Sequence, residues 1–94
     1  MTGGNGVTGP GGVTNASIWV QVEDAWTSGK GIIWGTPPSP ATLDIPMHAY
    51  SVIGIGNDPK SGADAIILWN PHGYLEYVTF ENLRVNLGGL TILE

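Results

Sequence analysis

Cysteine is absent from the 94-residue chain. Without a thiol the chain can form no disulfide and can offer no thiolate ligand to a metal ion. It also cannot supply the sulfur nucleophile of a thiol-dependent enzyme. Any thiol chemistry in which this chain takes part therefore needs a second polypeptide segment.

Basic residues are scarce. Lys30, Lys60 and Arg84 are the only three against eight acids, giving a net charge of −5. They are scattered along the chain, which excludes the basic patch that binding to nucleic acid requires. Charged residues make up 12% of the chain. This low share indicates that part of the surface is covered by a partner.

Long apolar runs are also missing. No stretch approaches the ~18 residues that a membrane-spanning helix needs, and the N-terminus lacks the basic and apolar regions of a signal peptide. We therefore expect no membrane partner, and a soluble, cytoplasmic chain is the default expectation.

Glycine is concentrated at the N-terminus, where it occupies six of the first twelve positions. Such a segment loses much entropy on ordering and buries little apolar surface. We predict a flexible tail or linker over residues 1–15 and a single domain over residues 16–94.

Apolar residues after the tail follow helical spacing, at Ile18, Val22, Ala25 and Trp26. Asn15 is a plausible N-cap, and Ser28 followed by Gly29 a plausible end. A strand is the alternative, because Ile18, Val20 and Val22 also alternate.

The rest of the chain predicts mostly strands. We expect them over residues 31–36, 47–55, 64–69, 74–78 and 90–93, with a short helix over 80–87 capped by Thr79. Residues 56–62 have strong turn chemistry and join two strands as a hairpin. Because residues 65–69 are all apolar, we expect that strand to be covered on both faces. The fold class predicted is α+β, a mostly antiparallel sheet or half-barrel with one or two short helices.

The hairpin brings a histidine and an asparagine together. If its turn is centred on Pro59, His48 lies directly opposite Asn70, with Cβ atoms about 4.5–5.5 Å apart. A one-residue shift in register would place the two side chains on opposite faces. An imidazole oriented by an amide is the base half of a cysteine-peptidase site.

Several motifs resemble the calpain-like branch of the papain-like cysteine peptidases. They are the His-Ala-Tyr-Ser-Val sequence at 48–52, Asn-Pro-His-Gly at 70–73, and the strand ending in Gly-Thr at 35–36. The segments at 79–83 and 90–93 are similar to the short helix and closing strand of bacterial members. The resemblance covers residues 16–94 and implies the C-terminal lobe of that fold.

The resemblance implies a role for each site residue. His48 would be the general base and acid, and Asn70 would orient it, while Met47 and Tyr50 would line the substrate cleft. The nucleophile would come from an N-terminal cysteine-bearing lobe, on the same or a separate chain, and the substrate would be a peptide or protein. This chain alone would be inactive, and no cofactor is expected.

Two positions depart from the family pattern. The family has glycine before the histidine, where this chain has Met47, and tryptophan within the Asn-Pro-Trp-Gly motif, where this chain has His72. Since that indole covers the histidine–asparagine hydrogen bond, an imidazole would leave the pair wetter.

A metal site and a binding module are the alternatives. His48 and His72 with Asp44 or Glu76 match no zinc signature, and the acids form no EF-hand loop, so no metal is expected. The four tryptophans are typical of core and interface residues. The main rival to a peptidase lobe is a non-catalytic peptide-binding or dimerisation module, which would form a homo-oligomer through an exposed strand edge or the cleft face.

Overall fold

The structure, a computed structural model, describes residues 7–8 and 13–93. It has one α-helix, α1 (Asn15–Thr27), and an antiparallel sheet, which confirms the α+β class. Five strands form the body of the sheet, and a two-residue strand, β1 (Val7–Thr8), is added at one edge. The five are β2 (Gly31–Gly35), β3 (Ala49–Asn57), β4 (Asp64–Asn70), β5 (Tyr74–Thr79) and β6 (Gly89–Leu93).

The strand order is β1-β6-β2-β3-β4-β5, and every neighbouring pair is antiparallel. Strands β3, β4 and β5 follow one another as hairpins. The last strand returns to pair with β2, for example Trp34 with Leu90. The first and last long strands of the domain, β2 and β6, are therefore neighbours, and β3 is a central strand between β2 and β4.

Helix α1 begins with a capping box. The Thr14 hydroxyl accepts a hydrogen bond from the Ser17 main-chain N–H at 3.0 Å, and the Ser17 hydroxyl accepts one from Thr14 at 3.1 Å. The predicted helix is confirmed, but its N-cap is Thr14 and not Asn15. Asn15 instead bonds the Glu81 carbonyl oxygen and the Arg84 main-chain N–H, and so ties the helix to the segment before β6.

One face of the sheet is covered by α1 and by the loops that precede β3 and β6. Burial there follows the alternation of the strands, since every second side chain points to the same face. The resulting core contains Ile18, Val22, Ala25, Ile32, Trp34, Leu43, Tyr50, Val52, Ile66, Leu68, Val78, Leu83, Leu87, Leu90 and Ile92.

The opposite face of the sheet, which we call the open face, has no covering layer among the described residues. Its larger apolar side chains are Ile33, Ile53, Ile67, Trp69, Leu75, Tyr77 and Leu93; Trp69 is 44% exposed, although Ala65 on the same face is fully buried. The prediction that residues 65–69 are covered on both faces is therefore wrong. Only Trp34 of the four tryptophans is fully buried, while Trp26 is as exposed as Trp69, at 42%.

The predicted helix over 80–87 is instead two 3-10 turns, Phe80–Asn82 and Arg84–Asn86. Thr79 makes no side-chain cap hydrogen bond, although its hydroxyl accepts one from the Asn82 amide at 3.1 Å. Asparagine side chains compete with helical hydrogen bonding in this way. The segment follows the sheet closely, burying Leu83 and Leu87.

Asn86 is completely buried at the end of this segment. Its amide oxygen accepts hydrogen bonds from the main-chain N–H groups of Thr42 (2.8 Å) and Leu43 (3.2 Å). Its amide nitrogen donates to the Thr42 hydroxyl and to the Asn82 carbonyl, both at 2.9 Å. The asparagine thus joins the loop before β3 to the loop before β6.

The predicted flexible tail over residues 1–15 falls mostly on 1–6 and 9–12, which lie outside the described residues. Within it, Val7 and Thr8 pair with Leu90 and Gly89 of β6. None of the helices described is long and apolar enough to cross a membrane.

Candidate functional site

The register of the β3–β4 hairpin differs from the prediction. Ser51 pairs with Trp69, and a bulge at Ile53 shifts the pairing so that Gly54 faces Ile67. Continuing the register by one residue places Tyr50, not His48, opposite Asn70. The loop is centred past Pro59, because Asp58 bonds around the turn to the Lys60 main-chain N–H and the Ser61 hydroxyl.

His48 nevertheless shares a face with Asn70. The shift is two residues, an even number, so His48 is the diagonal neighbour of Asn70 on the core side of the sheet. Its imidazole is half-buried and contacts the Tyr50 ring edge-to-face, with centroids 5.8 Å apart. The two side chains make no hydrogen bond with each other, because the Asn70 amide bonds Glu76 and His72 instead.

The main chain of His48 is held by Thr36, a buried residue just after β2. The Thr36 N–H donates to the His48 carbonyl, and the His48 N–H donates to the Thr36 hydroxyl, both at 2.8 Å. The same hydroxyl lies 2.7 Å from the carbonyl oxygen of Ile45. These bonds fix where the imidazole leaves the backbone.

Met47 and Tyr50, the predicted cleft residues, have opposite environments. Met47 is 74% exposed and has a φ of 50°, the only positive φ of a non-glycine residue in the described part of the chain. Tyr50 is fully buried. The structure therefore places Tyr50 in the core and leaves only Met47 on the surface.

Asn70 is fully buried and has partners at both ends of its amide. Its oxygen accepts a hydrogen bond from the main-chain N–H of His72, and its nitrogen donates to Oε2 of Glu76, both at 2.7 Å. The turn after it is closed by Gly73, whose N–H bonds the Asn70 carbonyl at 2.8 Å and whose φ is 104°. The imidazole of His72 is exposed, so no aromatic ring of this turn covers the pair.

Glu76 connects Asn70 to Tyr50. The Tyr50 hydroxyl donates to the same Oε2 atom at 2.8 Å, and its oxygen accepts from the Ile45 N–H at 3.2 Å. Burial and the adjacent carboxylate together raise the pKa of the Tyr50 phenol well above its ordinary value. This phenol therefore stays protonated at all physiological pH values.

A second phenol–carboxylate pair lies nearby, formed by Tyr74 and Asp44. The hydrogen bond to Asp44 raises the pKa of Tyr74 to about 12. Tyr74 is partly exposed. The pair joins the start of β5 to the loop before β3.

Chemically, the site offers a base without a nucleophile. Within the described part of the chain the His48 imidazole makes no hydrogen bond, so its nitrogens are available to an external group. The described residues contain no group of three or more side chains that could hold a metal ion. Because the chain has no cysteine, a thiol beside this imidazole would have to come from another polypeptide segment.

Comparison with protein-family models, with curated proteins and with solved structures gives no match to the chain. The geometry of the site therefore carries the functional argument.

Sequence reasoning missed the part played by Glu76, which it considered only as a metal ligand. A signal was present: Glu76 alternates with Val78, whose apolar side chain predicts the core-facing side of β5. A carboxylate on that side needs a buried donor. Tyr50 and Asn70 are the donors that the sheet provides.

Proposed function

We propose that the chain is the C-terminal lobe of a calpain-like cysteine peptidase, in which His48 is the general base and acid and Asn70 orients it. The observation that supports the proposal is that the His48 imidazole contacts the Tyr50 ring, and that Tyr50 and Asn70 donate hydrogen bonds to the same oxygen of Glu76. The imidazole has no competing hydrogen bond among the described residues, and the amide oxygen keeps a second lone pair beside its bond to His72.

The backbone before His48 supports this proposal independently. At residue 47 the φ of 50° lies in the left-handed region that glycine adopts without cost. The family usually has glycine at this position, a residue that suits the φ that Met47 adopts here. Gly73, at the last position of the Asn-Pro-His-Gly motif, has a φ of 104° that also requires glycine.

In the proposed reaction, His48 accepts the proton of a cysteine thiol supplied by the partner lobe. The thiolate attacks the carbonyl carbon of a peptide bond, and His48 returns the proton to the leaving amine as the acyl-thiol intermediate forms. Water then hydrolyses the thioester with His48 again acting as base. In this reaction Asn70 would hold the ring plane and tautomer by accepting a hydrogen bond from the imidazole, a bond that the two side chains do not make in this structure.

The test is reconstitution with a cysteine-bearing lobe encoded beside this chain. We expect hydrolysis of a fluorogenic peptide and labelling of the thiol by an epoxide inhibitor, both requiring the two lobes. Because a positioned acid–base group contributes about 10²–10⁴-fold, His48→Ala should lower kcat/KM by at least about 10²-fold.

His72→Ala is the matched control, since His72 is the chain's other histidine and its imidazole is exposed. It should retain most of the activity. Equal losses in the two variants, or the lack of any lobe that restores hydrolysis, would overturn the proposal.

The open face favours a second candidate, an association module in which this face packs against a second copy of the chain. None of its described side chains carries a carboxylate, an amine or a guanidinium: the remaining positions are Gly31, Gly35, Ala49, Ser51, Gly54, Gly56, Ala65, Thr79, Gly89 and Thr91. Two copies can therefore meet there without bringing like charges together, despite the net charge of −5.

Sedimentation of the chain over a range of concentrations tests the second candidate. A dimer that Trp69→Ser disrupts would support it. Trp26→Ser is the matched control, because Trp26 is equally exposed but lies on α1, away from the open face. A monomer at all concentrations, or equal effects of the two substitutions, would contradict it.

A further inference from the structure

We infer that Glu76 is a positioning residue that fixes the orientation of the Asn70 amide. The inference concerns the geometry of this chain, and only its catalytic consequence rests on the proposed function. Glu76 touches neither His48 nor any position a substrate would occupy in the proposed reaction. It acts through Asn70.

The orientation follows from the chemistry of the two partners. An ionised carboxylate can only accept hydrogen bonds, so the atom of Asn70 facing Glu76 must be the NH₂ group. A main-chain N–H can only donate, so the atom facing His72 must be the amide oxygen. The reversed amide would place oxygen against oxygen at one end and two donors together at the other.

Glu76 is itself held in place by Tyr50. The Tyr50 oxygen accepts from the Ile45 N–H, which leaves its proton free to point at Glu76. Since Tyr50 is fully buried, its hydroxyl has no water to use instead. The hydrogen bonds therefore run in one direction, from Ile45 through Tyr50 to Glu76, with Asn70 donating to the same oxygen atom.

Because Glu76 holds the Asn70 nitrogen, the amide oxygen of Asn70 has a defined position. The Glu76 carboxylate accepts from the Asn70 nitrogen, and the Asn70 oxygen accepts only from the His72 N–H, so it keeps one lone pair. Removal of the carboxylate would leave a buried NH₂ group without an acceptor, which is unfavourable inside a protein. The amide would then turn to find another partner.

NMR of the chain tests the inference directly. In Glu76→Ala, we expect the Asn70 side-chain NH₂ signals to shift and their exchange with water to accelerate about tenfold or more, because a hydrogen bond to a charged group is lost. Glu76→Gln should preserve both signals, since its amide oxygen can still accept from Asn70 and Tyr50.

Asp44→Ala is the matched control. It removes the other carboxylate that bonds a tyrosine, Tyr74, but does not touch Asn70. If Asp44→Ala moves the Asn70 signals as much as Glu76→Ala does, or if neither variant moves them, the inference is wrong. The main-chain amide spectrum of each variant shows that the fold is retained.

The activity of the reconstituted enzyme separates this inference from the proposed function. Glu76→Ala should lower kcat with little change in KM, and Glu76→Gln should restore it. If no partner lobe ever gives hydrolysis but the Asn70 signals respond as described, the proposed function fails and the positioning role stands. Unchanged Asn70 signals in Glu76→Ala reject the positioning role even if the enzyme is active.

Discussion

The structure buries two asparagine side chains completely, Asn70 at the end of β4 and Asn86 before β6. Asn86 bonds Thr42 and Leu43, which are 44 and 43 residues away along the chain. Asn70 bonds only its near neighbours His72 and Glu76, two and six residues away. Asn86 joins two segments that are distant in the sequence, whereas Asn70 stabilises the local turn that follows it.

This difference shows that burial alone does not separate a structural asparagine from a candidate functional one. All the hydrogen-bonding capacity of Asn86 is used, with two bonds accepted and two donated. Asn70 accepts one bond through an oxygen that could accept two. The Asn70 oxygen therefore keeps one lone pair that the described residues do not use.

The largest effect should come from Asn86→Ala. The substitution leaves the buried N–H of Leu43 and its neighbours without acceptors and opens a small cavity, so we expect a loss of about 3 kcal/mol in unfolding free energy. Urea denaturation measures it. The matched control is Asn57→Ala, since Asn57 is exposed and bonds only its own hairpin loop. Equal losses of unfolding free energy in the two variants would contradict a larger stabilising role for Asn86.

Asn70→Ala should cost less, about 1–2 kcal/mol, because its partners are local and Glu76 can turn toward solvent. The same denaturation experiment ranks it against Asn86→Ala. A loss of unfolding free energy as large as that of Asn86→Ala would mean that Asn70 stabilises the fold as much as Asn86 does. The proposed difference between the two asparagines would then be wrong.

Met47→Gly should have a smaller effect, with the opposite sign. A left-handed backbone costs a non-glycine residue about 1–2 kcal/mol, which Met47→Gly relieves. The greater freedom of glycine in the unfolded chain offsets part of this relief. We expect stabilisation of about 0.5–1 kcal/mol relative to Met47→Ala, which removes the exposed side chain and keeps the strain. The lack of a difference between the two variants would show that the turn is unstrained.

The smallest effect should appear at alkaline pH. In the folded chain the pKa of Tyr74 is raised from 10.0 to about 12. Between these values the folded state binds more protons than the unfolded state, so stability is complete below pH 10 and falls as the pH approaches 12. Urea midpoints measured across this window should fall less steeply in Tyr74→Phe. Equal slopes in the two proteins would argue against the Asp44 contact.

Local patterns were sufficient for most of the secondary structure. The spacing of Ile18, Val22 and Ala25 predicted α1, and the turn residues after β3 predicted the hairpin. The register could not be predicted in the same way. The bulge at Ile53 is an adaptation to packing, in which Ile67 lies over Gly54 and allows Ile55 to return to the core side.

The candidate site shows the same division. His48 and Asn70 stand out in the sequence because their motifs are local, while their pairing as a base and its orienting residue stays a prediction. The bonds of Glu76 to Tyr50 and of Thr36 to His48 depend on which strands become neighbours. No pattern within a single segment contains that information.

The turn that follows Asn70 also bears on how the protein ages. Asparagine deamidates when the nitrogen of the next peptide group attacks its side-chain amide carbon, and that nitrogen must lose a proton. The next residue is Pro71, whose nitrogen carries no hydrogen. The Asn70 amide is therefore chemically durable, and storage should damage other asparagines of the chain before it converts Asn70 to aspartate.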